Sequence, residues 1–305
     1  MIELILLCVI IFFIILIGFF MMRYVTHPHR TDFAESKQHE LAHDYWGDYD
    51  SYEKEPWDIT TSDGTILHGT YLPGKDPDPR RYVILTHGYS YNRHGSIKYA
   101  HIFYQLGFHI YLYDLRYHGE NEYRHHYCSM GDAESHDLAA VIDAMYARFG
   151  DTITLGIHGE SLGAATSLLV LALRQNLAFC IADCPFADLR TLLYYQARQM
   201  FHMPKWMVHV ANTLYRLIYH RNFFSVVPAD AVQKNHVPLM LIHGDADDFI
   251  PPEHSRQVFE ACPSDCIKEI HFMPNAQHAG SYGVDASLYQ AWVEQFLRTI
   301  ASHKS

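Results

Sequence analysis

With 305 residues, 49% of them hydrophobic and 14% aromatic, the chain can bury a sizeable core, and its composition excludes a fibrous or disordered protein. The formal net charge is −11 with no basic cluster, which argues against nucleic acid, whose binding needs grouped cations to replace phosphate counterions. Of the six cysteines, Cys8 sits in the apolar N-terminus. That leaves the odd set Cys128, Cys180, Cys184, Cys262 and Cys266, which is unsuited to a disulfide framework. The two C-x-x-x-C pairs lack the C-x-x-C spacing of zinc and redox sites, so these residues read as buried thiols of a reducing compartment.

Residues 1–22 predict a transmembrane anchor. From Ile2 to Met22 the chain carries Glu3 as its only charge, and about 20 apolar residues cross a ~30 Å hydrocarbon core. A cleaved signal peptide would show a basic start, a shorter apolar stretch and a small-residue cleavage site, none of which is here. Arg23, Arg30 and Lys37 follow the helix, so the positive-inside rule puts the remainder of the chain in the cytoplasm. Residues 23–56 are polar with scattered aromatics and read as a juxtamembrane spacer containing one short helix.

From residue 57 the pattern changes. Alternating runs around Ser62-Asp63-Gly64 predict a β-hairpin. Short apolar runs at 82–86, 109–113, 153–157, 179–182, 239–242 and 267–272 then alternate with helical patterns at 97–105, 133–148, 162–174, 254–261 and 286–302. This alternation predicts an α/β domain with a mostly parallel sheet covered by helices on both faces. Residues 186–236 interrupt the rhythm with helical composition and no strand. A structureless loop of that length is unexpected in a compact domain, so they read as a helical cap between core segments 57–185 and 237–305.

Gly159-Glu160-Ser161-Leu162-Gly163 lies between an apolar strand and an amphipathic helix. A serine on a sharp, strained strand-to-helix turn needs small neighbours on both sides, and the turn directs the Leu162 N–H towards a reacting carbonyl oxygen. A nucleophilic serine needs a base, and the base an orienting acid, expected in the chain order Ser, acid, His. Asp245, Asp247 and Asp248 follow the apolar run ending at Ile242, and physics alone does not choose among them; His278 lies in a loop after the last strand.

Four motifs occur in order: Thr86-His87-Gly88-Tyr89, Tyr113-Asp114-Leu115-Arg116-Tyr117-His118-Gly119, the Ser161 pentapeptide, and His243-Gly244-Asp245-Ala246-Asp247-Asp248-Phe249-Ile250-Pro251. On these the chain from about Trp57 onwards resembles the α/β-hydrolase superfamily, in its esterase, lipase and serine-aminopeptidase-like group. The resemblance implies Ser161 as nucleophile, Asp247 as acid, His278 as base, and the backbone N–H groups of Tyr89 and Leu162 as the oxyanion hole. It implies no metal and no organic cofactor. Arg116-Tyr117-His118-Gly119 departs from the usual R-G-H-G, and Ile250 replaces a commoner Val.

An acyl ester is the expected substrate, with a short peptide as the alternative, since both reactions use this machinery. A degenerate fold serving as a membrane-bound binding module is disfavoured, because all three triad positions carry reactive residues. His39-Glu40-Leu41-Ala42-His43 matches the zinc pattern H-E-x-x-H, but among 23 histidines a chance pair in a spacer is the better reading. His118, His125 and His126 read as solvated loop histidines. The aromatic stretch 194–219 reads as the inward face of the cap and an acyl-binding surface.

Overall fold

The computed structural model describes residues 1–74, 78, 80–121 and 127–303, so His125 and His126 lie outside the described residues. Among the described residues the strands are β1 (Glu55–Pro56), β2 (Ile59–Thr60), β3 (Ile66–Leu67), β4 (Gly69–Leu72), β5 (Arg81–Thr86), β6 (His109–Tyr113), β7 (Thr154–Glu160), β8 (Phe179–Asp183), β9 (Leu239–Gly244) and β10 (Lys268–Met273). The helices are α1 (Ile2–Thr26), α2 (Phe33–Ala42), α3 (Ile97–Gln105), α4 (Asp132–Phe149), α5 (Leu162–Val170), α6 (Leu189–Phe201), α7 (Lys205–Tyr219), α8 (Pro228–Ala231), α9 (Glu253–Ala261), α10 (Ser281–Val284) and α11 (Ala286–His303).

Eight strands form one sheet in the order β1-β4-β6-β5-β7-β8-β9-β10. The β1–β4 and β4–β6 pairs are antiparallel, and β6, β5, β7, β8, β9 and β10 are mutually parallel. Alternate side chains along each strand feed opposite layers, as the period of two demands. Ile84, Leu155, Cys180, Leu239 and Leu241 join α4, α5 and Val258 of α9 on one face. Val83, Leu85, Ile181, Met240 and Ile242 join α3 and α11 on the other. α11 contributes Tyr289, Val293, Phe296 and Ile300, the 4-3-4 spacing that keeps one helical stripe inward. Fully burying such a side chain stabilises the fold by roughly 1.5–3 kcal/mol. Because both faces are covered, the parallel strands read as unbroken apolar runs.

The hairpin expected around Ser62-Asp63-Gly64 is β2–β3, with Ile59 opposite Leu67; the Asp63 carboxylate accepts from the Thr61 hydroxyl at 2.6 Å and the Thr65 N–H at 3.0 Å. Helix α5 ends at Val170 rather than running to 174. There i→i+3 bonds such as Leu173 N–H to Val170 O (2.8 Å) tighten the chain out of α-geometry. Cys128, Cys180, Cys184, Cys262 and Cys266 are free and buried.

Residues 186–236 contain α6, α7 and α8 and no strand. α1 has 25 residues, which at 1.5 Å each is long enough to cross a bilayer, and its first half is exposed.

One departure from the sequence reading concerns residues 23–56, which are folded onto the core rather than forming an open spacer. Trp46, Tyr49 and Tyr52, one every third residue, are buried in the α3–α11 layer. Asn92 donates to Thr31 O and to the Ser36 hydroxyl, both at 3.0 Å. Three aromatic rings among charged residues leave average polarity high while burying enough area to dock the segment.

Candidate active site

Every sequence-predicted site residue lies at or just beyond the C-terminal end of a parallel strand, the edge at which open α/β sheets place their sites: Tyr89 after β5, Ser161 after β7, Asp247 after β9 and His278 after β10. Ser161 has φ 54° and ψ −112°, a positive-φ conformation strained for a residue with a side chain. The flanking glycines allow it. A Cβ on Gly159 would lie 2.2 Å from Gly163 O, and one on Gly163 would lie 2.2 Å from Thr86 O. The turn therefore aims the Ser161 side chain out of the sheet while strand and helix backbones pass at contact distance.

Ser161 Oγ is 2.8 Å from His278 Nε2, and His278 Nδ1 is 2.7 Å from Asp247 Oδ2. A carboxylate only accepts, so the proton sits on Nδ1 and leaves Nε2 bare to accept from the serine hydroxyl. Asp247 Oδ1 also accepts the N–H groups of Phe249 (2.9 Å) and Ile250 (2.8 Å). Burial pushes the Asp247 carboxyl up, but hydrogen bonds from His243 and His278 outweigh it and hold the group well below the usual carboxylate range. His243 Nε2 donates to Ile250 O at 2.8 Å and approaches Asp247 Oδ2 at 3.2 Å, while its Nδ1 accepts from the Ser255 hydroxyl. Asp245 and Asp248 are exposed.

Leu162 opens α5, where N–H groups have no intrahelical acceptor. Among the described residues neither its N–H nor that of Tyr89 has a hydrogen-bond acceptor. Two buried histidines brace the Tyr89 loop. His87 donates from Nδ1 to Gly88 O (2.7 Å) and accepts the Leu115 N–H (2.9 Å). His118 donates to Arg116 O (2.9 Å) and accepts the Ser90 N–H (3.2 Å). His118 is thus not a solvated loop histidine. It is fully buried, and desolvation lowers its pKa to about 4, so it stays neutral and able to accept.

Beneath the elbow lies a polar network that the sequence did not reveal. Glu160 Oε2 is 2.5 Å from Lys98 Nζ and 2.5 Å from the Tyr99 hydroxyl, which is 3.0 Å from Asp183 Oδ2. Asp183 O accepts the Ser161 N–H at 2.8 Å. One phenolic hydrogen cannot serve two carboxylates. Burial and the Glu160 charge raise the Asp183 pKa to about 6, placing a proton within reach of the shared oxygen. Because this folded-state value exceeds the unfolded one, the native state binds the extra proton between pH 4 and 6, and stability falls as pH rises through that window. At about 1.4 kcal/mol per unit, the decline should total about 3 kcal/mol. Asp137, which burial also raises to about 6, contributes a decline of its own, so urea unfolding should show a decline in Asp183→Asn that is smaller than in wild type by about 3 kcal/mol; the same slope in both would place the proton elsewhere.

Two pockets meet at Ser161. A small apolar one of about 40 Å³ is walled by Met130, Leu162, Phe186, Leu192 and Ile250. A polar one of about 500 Å³ reaches Ser161 and His278 and is lined by His39, Glu40, His43, Tyr91, Lys98 and Glu160. The H-E-x-x-H segment therefore forms part of the rim, on α2. Glu40 is 2% exposed and accepts from the Tyr91 hydroxyl at 2.7 Å, and burial raises its pKa. His43 Nδ1 is 2.8 Å from His39 O. Among the described residues the cluster near enough to hold a metal is Cys184, Asp247 and His278, which contains the candidate acid and base rather than the H-E-x-x-H residues.

The prolyl oligopeptidase family profile matches residues 96–303. Protein YqkD of Bacillus subtilis (strain 168) is 30% identical over 259 residues, covering 84% of this chain and 83% of its own. The esterase Pf2001 of Pyrococcus furiosus superposes with a TM-score of 0.65 at 22% identity, over 83% of this chain and 93% of that one. A putative dipeptidyl aminopeptidase IV from Bacteroides ovatus gives 0.60 at 17% identity, over 81% of this chain and 36% of that one. The chain belongs to the prolyl oligopeptidase family and is a serine hydrolase with the α/β-hydrolase fold.

Proposed function

We propose that the protein hydrolyses carboxylic esters through a Ser161–His278–Asp247 triad and an acyl-enzyme. Ser161 attacks the acyl carbonyl as His278 Nε2 takes its proton. The N–H groups of Tyr89 and Leu162 stabilise the oxyanion, and His278 protonates the departing alcohol. Water activated by His278 then releases the acid. The observation carrying this reading is the relay of 2.8 and 2.7 Å from Ser161 through His278 to a carboxylate held ionised.

Ester is favoured over peptide by the carboxylates on the polar side. Glu160 is paired with Lys98, and Glu40 is buried and already accepts from the Tyr91 hydroxyl, so neither carboxylate lies exposed for a substrate's terminal amine. The apolar pocket on the other side of Ser161 suits an acyl group. Residues 186–236 act as the cap over that pocket, and α1 as a bilayer anchor with the hydrolase on the cytoplasmic side.

The test is a fluorophosphonate probe on the full chain in detergent, read by peptide mapping. One adduct on the peptide containing Ser161 is expected, and turnover of p-nitrophenyl esters should exceed that of aminoacyl amides. An adduct on another serine, or faster amide turnover, would overturn the corresponding part. For orientation, His303→Cys should react with an impermeant maleimide in inside-out vesicles and not in intact cells; labelling of intact cells would reverse the topology.

A further inference from the structure

Burial along α1 falls on Gly18, Met22 and Thr26, one residue per turn, so a single face of its C-terminal part is packed. That face lies on α7. A Cβ on Gly18 would sit 2.5 Å from Val210 Cγ1, so the two helices touch through the absence of a side chain. Beside this contact is a cleft of about 590 Å³, lined by Ile17, Phe20 and Met21 from α1 and by Ala197, Val208 and Ala211 from the cap. Tyr24, Val25, Leu193 and Gln196 line both this cleft and the small apolar pocket at Ser161. The Tyr89 hydroxyl donates to Tyr24 O at 2.7 Å and lies 3.2 Å from Val25 O, tying the proposed oxyanion loop to the last turn of α1. The anchor helix is a wall of the site as well as a tether.

A bilayer around residues 2–22 puts Ile17, Phe20 and Met21 in its last embedded turns, with the mouth of the cleft at its edge. Phe201, which lines the same cleft, is exposed, as are Met200 and Trp206 elsewhere on the cap. An acyl chain entering the cleft meets mostly apolar groups from the bilayer to the nucleophile, with Arg23, His27 and Gln196 as the polar side chains of the lining. Through water the same chain would be disfavoured by roughly fourfold for each exposed methylene. On the ester-hydrolase reading, we infer that the substrate is a long-chain acyl ester drawn directly from the bilayer, its chain lying in the cleft between α1 and the cap and its alcohol on the polar side of Ser161.

The experiment uses the full chain in phosphatidylcholine nanodiscs and a twelve-carbon alkyl fluorophosphonate with a terminal diazirine. After reaction, photolysis should cross-link the chain end to peptides covering 17–25 or 197–211. Cross-links confined to 39–45 or 91–98 would overturn the inference, leaving the hydrolase reading intact. No reaction of Ser161 with either this probe or an ethyl fluorophosphonate would instead sink the hydrolase reading. Val25→Trp, at the junction of the two pockets, should lower the twelve-carbon to ethyl rate ratio at least tenfold. Phe13→Trp, on the exposed part of α1, should leave that ratio unchanged. If Val25→Trp does not fold, Leu193→Trp tests the same junction from the cap. An unchanged ratio in the folded variant would again overturn the inference. p-Nitrophenyl laurate loaded into protein-free discs should turn over at least tenfold more slowly than laurate in the protein's own discs; equal rates would show that the substrate arrives through water.

Discussion

Ser161→Ala should lower kcat for ester hydrolysis by about 10⁵–10⁶, and Ser161→Ala combined with His278→Ala should lose no more than the single change. On the proposed triad the two act as a unit. Without the hydroxyl, His278 Nε2 has no nucleophile to deprotonate, and without the imidazole the hydroxyl is too weak a nucleophile. Fold stability should be nearly unaffected, within about 1 kcal/mol. Alanine and serine meet the same strain at φ 54°, and the Ser161 backbone keeps its bonds to Asp183 O and from the Ala165 N–H. Residual catalysis should remain from the oxyanion hole and binding. Kinetics with long-chain p-nitrophenyl esters on single and double variants provide the check. A double variant whose losses simply multiply would mean that serine and histidine work in separate steps.

The parts legible in the sequence are those fixed by local periodicity or local sterics. The parallel strands and α11 follow from apolar runs and the 4-3-4 stripe. The elbow follows from Gly159 and Gly163, because no larger residue fits where backbone lies 2.2 Å from a would-be Cβ. Contacts between distant segments left no such trace. Lys98 and Tyr99 belong to α3, and nothing in their neighbourhood announces that they close over Glu160 and Asp183. Docking of residues 23–56 was hidden because Trp46, Tyr49 and Tyr52 sit among acids. This in turn hid the fact that His39, Glu40 and His43 border the site. His118 reads as solvated in the sequence because a histidine in a polar loop carries no local sign that its nitrogens meet Arg116 O and the Ser90 N–H. His243 had a signal available, since it immediately precedes the acid loop, but only the folded geometry gives its contact with Asp247.

Asp247→Asn should lower kcat by about 10³–10⁴, while Asp245→Asn and Asp248→Asn should each stay within about tenfold of wild type. Only Asp247 of the three is buried, and its Oδ2 lies 2.7 Å from Nδ1 of His278, the proposed base. Asparagine keeps the shape but can present its NH₂ to His278 Nδ1. The imidazole would then have to accept there and carry its proton on Nε2, the atom that must take the serine proton. A residual N–H acceptor role at the Oδ1 position should keep the loop 247–250 folded, so the defect should appear in kcat more than in thermal stability. Asp245 instead accepts the Asn275 N–H at 2.6 Å, three residues before the histidine; its loss loosens the His278 loop without changing the tautomer. The two outcomes also separate by pH. With the wrong tautomer, raising pH does not restore a base at Nε2, so Asp247→Asn should stay impaired across the neutral range. An Asp245→Asn variant more damaged than Asp247→Asn would mean that the loop supplies its acid from another position.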